Sequence, residues 1–356
     1  MRKHLAAPRL RWLPSAALFT VCCWFLFRCP DVCAEGVRNG LTLCGSLVLP
    51  ALFPFLAVSV FLLRSGLLQL FGQLVSAVPR RMFRLPGESA GVILMALVGG
   101  FPVGASMTAQ LYKDERLTQP QARRMCLFCM NPGPAFVLST VGAGIYHSMR
   151  AGTILYASAC LSSLCMGAVL ARFSGESPPA RETHAVVRLT SPLTALADAV
   201  RSSAESMLQI CAWVILFSTV HACVLTLPMP AQAQVFLSCF LEITSGVRIA
   251  AGALPMPAVA ALISFGGLAV HCQILPYLQA CGVRLGAFFA ARGAGAALSA
   301  LFCAALLRVF PCEVSVAAVA GELVPAAYSV SVPSFVALLL MTVLLILEVE
   351  PNRKVW

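Results

Sequence analysis

Polar residues that could do chemistry stand in a few places inside otherwise apolar stretches of this chain. Glu242 and Arg248 are the only charges in the stretch 232–253. A charge at membrane depth costs about 2.5–3.5 kcal/mol on the insertion scale, so such a residue reads as functional by default. Glu242 could bind a solute or a coupling ion, could carry a proton, or could pair with Arg248 as structural glue. The guanidinium of Arg248 would fit a carboxylate in bidentate fashion. Asn131 precedes Pro132-Gly133-Pro134 and offers both a donor and an acceptor at an expected helix break. It either lines a cavity or caps a helix through its side chain. His271 and Gln273 follow Gly266-Gly267. His271 is either a proton relay near neutral pH or a hydrogen-bonded interior histidine. Ser106, Thr108 and Gln110 follow Gly99-Gly100-Phe101-Pro102-Val103-Gly104; they line a polar path or bond to the backbone. Arg292 and Arg308 lie near the two ends of a further apolar stretch and are expected to snorkel to the interfaces.

Enzyme signatures are absent: the chain has no GxxxxGK[ST] phosphate loop, no HExxH and no GxSxG elbow. The expectation is a non-enzyme without cofactor, whose transport, if any, is passive or driven by a gradient of H+ or Na+. Sixteen cysteines lie mostly inside apolar runs, where Cys packs as a small hydrophobe. Cys126 and Cys129 form a single CxxC, a weak metal or redox signal without a second pair, and no metal is expected. Cys29 and Cys33 fall in an apparent outer loop and are candidates for a disulfide.

The elements that must position these residues are membrane helices. Of the 356 residues, 59% are hydrophobic and 11% charged, against about 25% charged in soluble domains. A bilayer core about 30 Å thick takes roughly 20 apolar residues per helix. The net charge of +11 does not indicate nucleic acid. The basic residues form short clusters between apolar runs, as topology signals do, with no basic stripe interleaved with aromatics. The expected partners are membrane lipid and a small-molecule solute, with homo-oligomerisation open.

Apolar length and Lys/Arg placement predict an all-α integral membrane fold of about eight transmembrane helices plus two re-entrant hairpins. Spans are expected over 12–27, 40–63 (kinked by Pro50 and Pro54), 125–146, 151–172, 206–227, 258–280, 285–309 and 332–348. The hairpins are expected over 89–112, broken at Gly99–Gly104, and 232–253, broken at Thr244-Ser245-Gly246. The chain divides into an N-terminal helix and outer loop (1–39), a first repeat unit (40–172), a cytoplasmic linker (173–205), a second unit (206–310) and a C-terminal loop and helix (311–356). Both termini come out cytoplasmic. The opening spans of the two units run in opposite directions, an inverted-topology repeat of the kind found in secondary transporters. Non-helical backbone at membrane depth is tolerated only inside protein or beside a water-filled cavity.

The motifs Gly99-Gly100-Phe101-Pro102-Val103-Gly104-Ala105, Phe128-Cys129-Met130-Asn131-Pro132-Gly133-Pro134-Ala135-Phe136 and Leu241-Glu242-Ile243-Thr244-Ser245-Gly246 carry a resemblance. The chain resembles the sporulation integral membrane protein family of the YlbJ type, with a duplicated nucleoside-recognition (Gate) domain, over about residues 40–310. The domain is also similar to parts of concentrative nucleoside transporters and ferrous-iron transporters. The resemblance implies a protein of the bacterial inner membrane that acts in spore maturation and moves a small aromatic dicarboxylate, dipicolinate. The alternatives are a nucleoside or nucleobase transporter and a non-transporting sporulation assembly protein. By position, the family motifs carry over to Phe101, Pro102, Gly104, Asn131, Gly133, Pro134, Glu242 and Gly246. Ser106, Ser245, Arg248, His271 and Gln273 complete the candidate solute-binding set. This chain has Gly-Gly-Phe-Pro where the family often has Ser-Gly-Tyr-Pro, and Met-Asn-Pro-Gly-Pro where it often has Asn-Asn-Ala-Gly-Pro, which removes polar groups.

Overall fold

The computed structural model describes residues 20, 23–24, 26–67, 77–174 and 191–312. The expected spans at 12–27, for the most part, and at 332–348 lie outside the described residues, as do residues 175–190 of the expected linker and both termini; the end of that linker, from Pro192, is helical. Among the described residues all regular structure is helical. Four stretches, Met149–Phe173, Pro192–Leu225, Met256–Ala280 and Leu285–Val309, are long and apolar enough to cross a membrane.

The first helix, α1 (Pro30–Leu43), widens through a π-helical turn at Cys44–Val48 into α2 (Leu49–Arg64). The residues expected as an outer loop are therefore the start of this helix. Pro50 and Pro54 cannot donate backbone hydrogen bonds. The ladder is already stretched ahead of them, with the Leu49 N–H reaching the carbonyl of Cys44. After the basic π turn Pro79–Phe83 come α3 (Ser89–Gly99) and α4 (Phe101–Lys113). A Thr118/Gln121 capping box starts α5 (Gln119–Phe128), followed by a π-helical segment, Ala135–Ile145, and α6 (Met149–Phe173). The second half comprises α7 (Pro192–Leu225), α8 (Ala231–Leu241), α9 (Ile243–Ala253), α10 (Met256–Phe265), α11 (Gly267–Ala280) and α12 (Leu285–Val309).

Helices α3 and α4 fold back on each other. A methyl group on Gly104 would lie 2.9 Å from Cβ of Ala96, whereas a straight helix would separate these positions by about 12 Å. The open end is closed by an ion pair between Arg116 and Glu88 at 2.9 Å. Helices α8 and α9 fold back in the same manner, so that a methyl group on Gly246 would run into the backbone of Cys239. The break in this pair falls at Glu242, not at Thr244-Ser245-Gly246. Gly246 lies inside α9, where it allows α8 to pass close by.

Long helices pair antiparallel between the halves. Along α1 and α7, Cys33 meets Cys223, with sulfurs 3.6 Å apart. Gly36 meets Thr219 and Gly40 meets Ile215, the added methyl of each coming within 2.7 Å of backbone. Cys44 donates to the Cys211 carbonyl at 3.7 Å. Cys33 is thus buried against α7, and the described residues contain no Cys29–Cys33 disulfide. Along α6 and α12, Ser158 faces Ser299 at 3.3 Å and Ser162 donates to the Gly295 carbonyl at 2.6 Å. At one end of the bundle, Arg124 donates to Ser174 and to the Arg84 carbonyl. The α11–α12 turn at Gly282 sits against Gln119 and Arg123, so this end gathers arginines.

Close helix approach makes some glycines irreplaceable. A Cβ on Gly104 would collide with the carbonyl oxygen of Cys129, and neither backbone can yield without repacking. Gly104→Ala should therefore cost about 1–3 kcal/mol. Gly286→Ala, with nothing within 4 Å of the new methyl, should stay within about 0.5 kcal/mol. Thermal melting of the two purified variants in detergent checks the contrast; equal melting would refute this packing.

Candidate functional site

Apart from the turns that join successive helices at polar or proline-rich segments, the chain leaves the helix inside apolar stretches at Gly100 and Asn131–Gly133 in the first half and at Glu242 and Gly266 in the second. Glycine is needed at Gly100 and Gly266, whose φ values are 85° and 92°, because a Cβ makes that region unfavourable. The breaks converge. A methyl on Gly100 would lie 3.3 Å from the nitrogen of Gly133. One on Gly267 would lie 3.1 Å from the Cys239 carbonyl and 3.2 Å from the nitrogen of Ile243. One on Gly266 would lie 2.8 Å from the ring of Phe101, which joins the two pairs.

A break exposes backbone groups that a helix would satisfy. Here side chains from other elements take them up. Tyr156 donates to the Leu97 carbonyl at 2.9 Å, and Ser163 to the Phe128 carbonyl at 2.6 Å. Arg292 donates through Nη1 to the Met130 carbonyl at 2.6 Å. His271 Nε2 bonds the Phe265 carbonyl at 2.9 Å. Since a carbonyl only accepts, that nitrogen carries the hydrogen, and Nδ1 is left as an acceptor without a partner. In the second half the carboxylate of Glu242 accepts from the backbone N–H groups of Thr244 at 2.8 Å and Ser245 at 2.6 Å. It caps α9, where the helix dipole favours negative charge.

The buried guanidinium is the structure's correction to the sequence reading. Arg292 does not snorkel to an interface; it is 4% exposed. Its charged end lies 5.9 Å from the centre of the Phe101 ring, and its Nε has no hydrogen-bond partner. Among the described residues no carboxylate pairs with it. It lines a cavity of about 10 Å³, room for one water, together with Asn131, Ser162, Ser163, Ser264 and Gly295. Asn131 donates to Ser163 at 3.0 Å. Arg308 stands exposed near the end of α12.

The other sequence candidates divide among three places. Pro102, Ser106 and Gln273 line a second cavity of about 10 Å³ with Ser206, Gln209 and Tyr277. Phe101, Gly133 and Pro134 belong to the converging breaks, and Gly104 to the packing of α4 against the end of α5. Glu242, Ser245 and Gly246 form the start of α9. Thr108 bonds back to the Gly104 carbonyl at 2.7 Å, and Gln110 to Asp114 at 2.8 Å. Arg248 is exposed on α9, and no ion pair joins it to Glu242. Sequence reasoning misplaced Arg292 and did not single out Ser163 or Ser264. The signal for Arg292 was present: with Gly295, Ser299 and Cys303 it forms the buried stripe of α12 at helical spacing. Among the described residues no three His, Cys, Asp or Glu side chains gather as metal ligands.

Comparison with known proteins places this geometry in context. Residues 46–171 match the sequence model of the Gate family, described as nucleoside recognition. The chain is 27% identical to the sporulation integral membrane protein YlbJ of Bacillus subtilis, with 74% of each chain covered. No solved structure matches.

The hydrogen bonds at Asn131 predict an asymmetry. Asn131→Ala removes one donor but leaves Ser163 bonded to the Phe128 carbonyl, and should cost about 1 kcal/mol. Ser163→Ala strands both the Asn131 amide and that carbonyl in a buried site, and should cost about 2–3 kcal/mol. Thermal denaturation of the two variants gives the order; a more damaging Asn131→Ala would rule out this arrangement.

Proposed function

We propose that this integral membrane protein, whose residues 46–171 carry a nucleoside-recognition (Gate) domain, is a secondary transporter of a small organic anion. The observation that carries the reading is Arg292: a guanidinium enclosed at the meeting point of the chain breaks, lining a cavity, with an open nitrogen and no carboxylate of its own. A buried cation normally finds an opposite charge. Here a carboxylate of the solute would supply it, held in the bidentate geometry that guanidinium favours. The Asn131 amide, which spends one N–H on Ser163, has a second to offer the solute's remaining oxygens.

The fold supports transport in an inverted-topology repeat. The opening helices α1–α2 and α7 run antiparallel, as do the closing helices α6 and α12. Each half contributes one folded-back pair, which we read as a re-entrant hairpin, and one broken span. With the expected spans at 12–27 and 332–348 this makes the eight-span plan. The arginine-rich end of the bundle, with Arg84, Arg116, Arg123 and Arg124, would face the cytoplasm. Both cavities hold no more than a water, the form expected of a closed intermediate that must open to either side to load.

The similarity to a sporulation integral membrane protein supports a role in spore maturation, with dipicolinate as the first solute to try. A second reading, a nucleoside or nucleobase solute, draws on the family's description. It also draws on the neutral polar cavity at Ser106, Gln209, Gln273 and Tyr277, whose groups suit an uncharged solute.

The test is uptake of labelled dipicolinate, with uridine as comparison, by purified protein in liposomes. Wild type should accumulate dipicolinate. Arg292→Gln should lower its uptake at least about tenfold, equivalent to about 1.4 kcal/mol. Arg292→Lys should fall between, keeping the charge but losing the planar fork. Uptake of uridine alone, indifferent to Arg292, would favour the nucleoside reading. No uptake of either by correctly inserted protein would put the non-transporting assembly role first.

A further inference from the structure

One pair of thiols stands apart from the solute site and joins the two halves of the chain. Cys33 of α1 and Cys223 of α7 hold their sulfurs 3.6 Å apart, and both are thiols here. The whole α1–α7 seam keeps one register around them. Gly36 lies against Thr219 and Gly40 against Ile215, the added methyl of each within 2.7 Å of backbone, and Cys44 reaches the Cys211 carbonyl. Cys33 and Cys223 continue that register one turn further along. Both side chains are buried, in a cluster with Phe217, Val224, Leu241 and Leu268. Yet Asp31, Glu35 and Arg38 stand exposed around Cys33. Charges are costly at membrane depth, so they place the pair near the water boundary. It lies within a turn of the start of α1 and of the end of α7. Followed the other way, α1 runs into α2, which ends at Arg64 ahead of the basic π turn. The thiols therefore occupy the end of the seam remote from the arginines.

We propose that Cys33 and Cys223 are a disulfide site that fastens the first half of the chain to the second, closed by a disulfide or similar S–S oxidant from outside the membrane. The outward placement rests on the orientation given above; the pairing does not. In the reaction one thiol loses its proton and attacks a sulfur of the oxidant. The oxidant's S–S bond breaks and one of its sulfur groups leaves. The second thiol, deprotonated in turn, attacks the mixed disulfide and releases the other group. Two protons leave the protein and two electrons pass to the oxidant. The sulfurs must close by about 1.5 Å to reach bonding distance, a movement that side-chain rotation supplies while the backbones keep their register. The bond would join residues 190 positions apart. A link across so long a loop restricts the unfolded chain strongly, and its stabilising effect grows with loop length. Because the seam already holds the two thiols together, little of that effect is lost to strain.

The test needs no solute. Right-side-out membrane vesicles carrying the full chain are treated with tetrathionate, a small dianion that does not cross the bilayer. A parallel sample receives diamide, an azo oxidant that crosses and takes up the two electrons and two protons itself. Remaining thiols are blocked with N-ethylmaleimide, and the protein is digested without reductant for mass spectrometry. Both oxidants should join the peptides of Cys33 and Cys223 with loss of two hydrogens. The link should break with dithiothreitol, survive Cys29→Ser, and be missing in Cys33→Ser and in Cys223→Ser. The same link in untreated vesicles supports the site equally. A link made by diamide alone overturns the outward placement. N-ethylmaleimide on both cysteines after both treatments, or Cys33 joined to Cys29 instead, overturns the pairing. Melting in detergent gives a second readout. Reduction of the linked protein should lower Tm by several degrees, and Cys33→Ser should show no such shift. A linked protein that melts no higher than the reduced one overturns the fastening role.

Discussion

A polypeptide that leaves the helix within an apolar layer must have each freed N–H and C=O answered by protein, because no water is there to do it. The rest of this molecule is arranged around that demand. The chain stops being helical at Gly100, Asn131–Gly133, Glu242 and Gly266. Most of the groups that answer come from other elements, Tyr156 and Ser163 from α6, Arg292 from α12 and His271 from α11, while Glu242 answers from the break itself. These side chains bring donors, acceptors and charge to the centre of the bundle. In the transport reading proposed above, support of the backbone and binding of a solute would fall to the same residues. A guanidinium that uses one nitrogen on a carbonyl still has others to offer.

The closing helices show how such a centre is held. Serines 158, 162, 264 and 299 link α6, α10 and α12 by hydrogen bonds of 2.6–3.3 Å. Small side chains let backbones approach, and their hydroxyls bond across the helices. At the other side α1 and α7 meet through Gly36 and Gly40. The folded-back pairs and broken spans are enclosed between these two long seams. The seams provide rigid walls, while the breaks between them have the lower density of regular hydrogen bonds that moving parts need.

Much of this was legible in the sequence, and the limits have physical reasons. The break at Gly100 was visible because Gly-Gly-Phe-Pro cannot continue a helix, and Gly266-Gly267 was visible on the same ground. The span over 285–309 was readable to the residue from apolar length. The break at Glu242 was displaced in the reading because Thr-Ser-Gly looks like the weaker helix former, whereas a carboxylate that caps the following helix is the stronger stop signal. Arg248 and Arg292 exchanged roles. Both are lone arginines in apolar stretches, and only the face on which each falls separates an exposed residue from a buried one. That face depends on which neighbours the helix packs against, information that spacing within one helix carries only in part. The Cys33–Cys223 contact joins residues 190 positions apart, and nothing local to Cys29 and Cys33 announces it.

The contact between Phe101 and Gly266 has a consequence for descent. One residue belongs to the first half and the other to the second, and the ring occupies the space that any side chain at 266 would take. If the halves arose by duplication, they could not have drifted alike at these sites. The positive φ at 266 keeps that position glycine whatever stands at 101. The freedom to vary therefore lies on one side only: the ring at 101 can shrink without a change at 266, whereas no reduction of the ring opens 266 to a side chain.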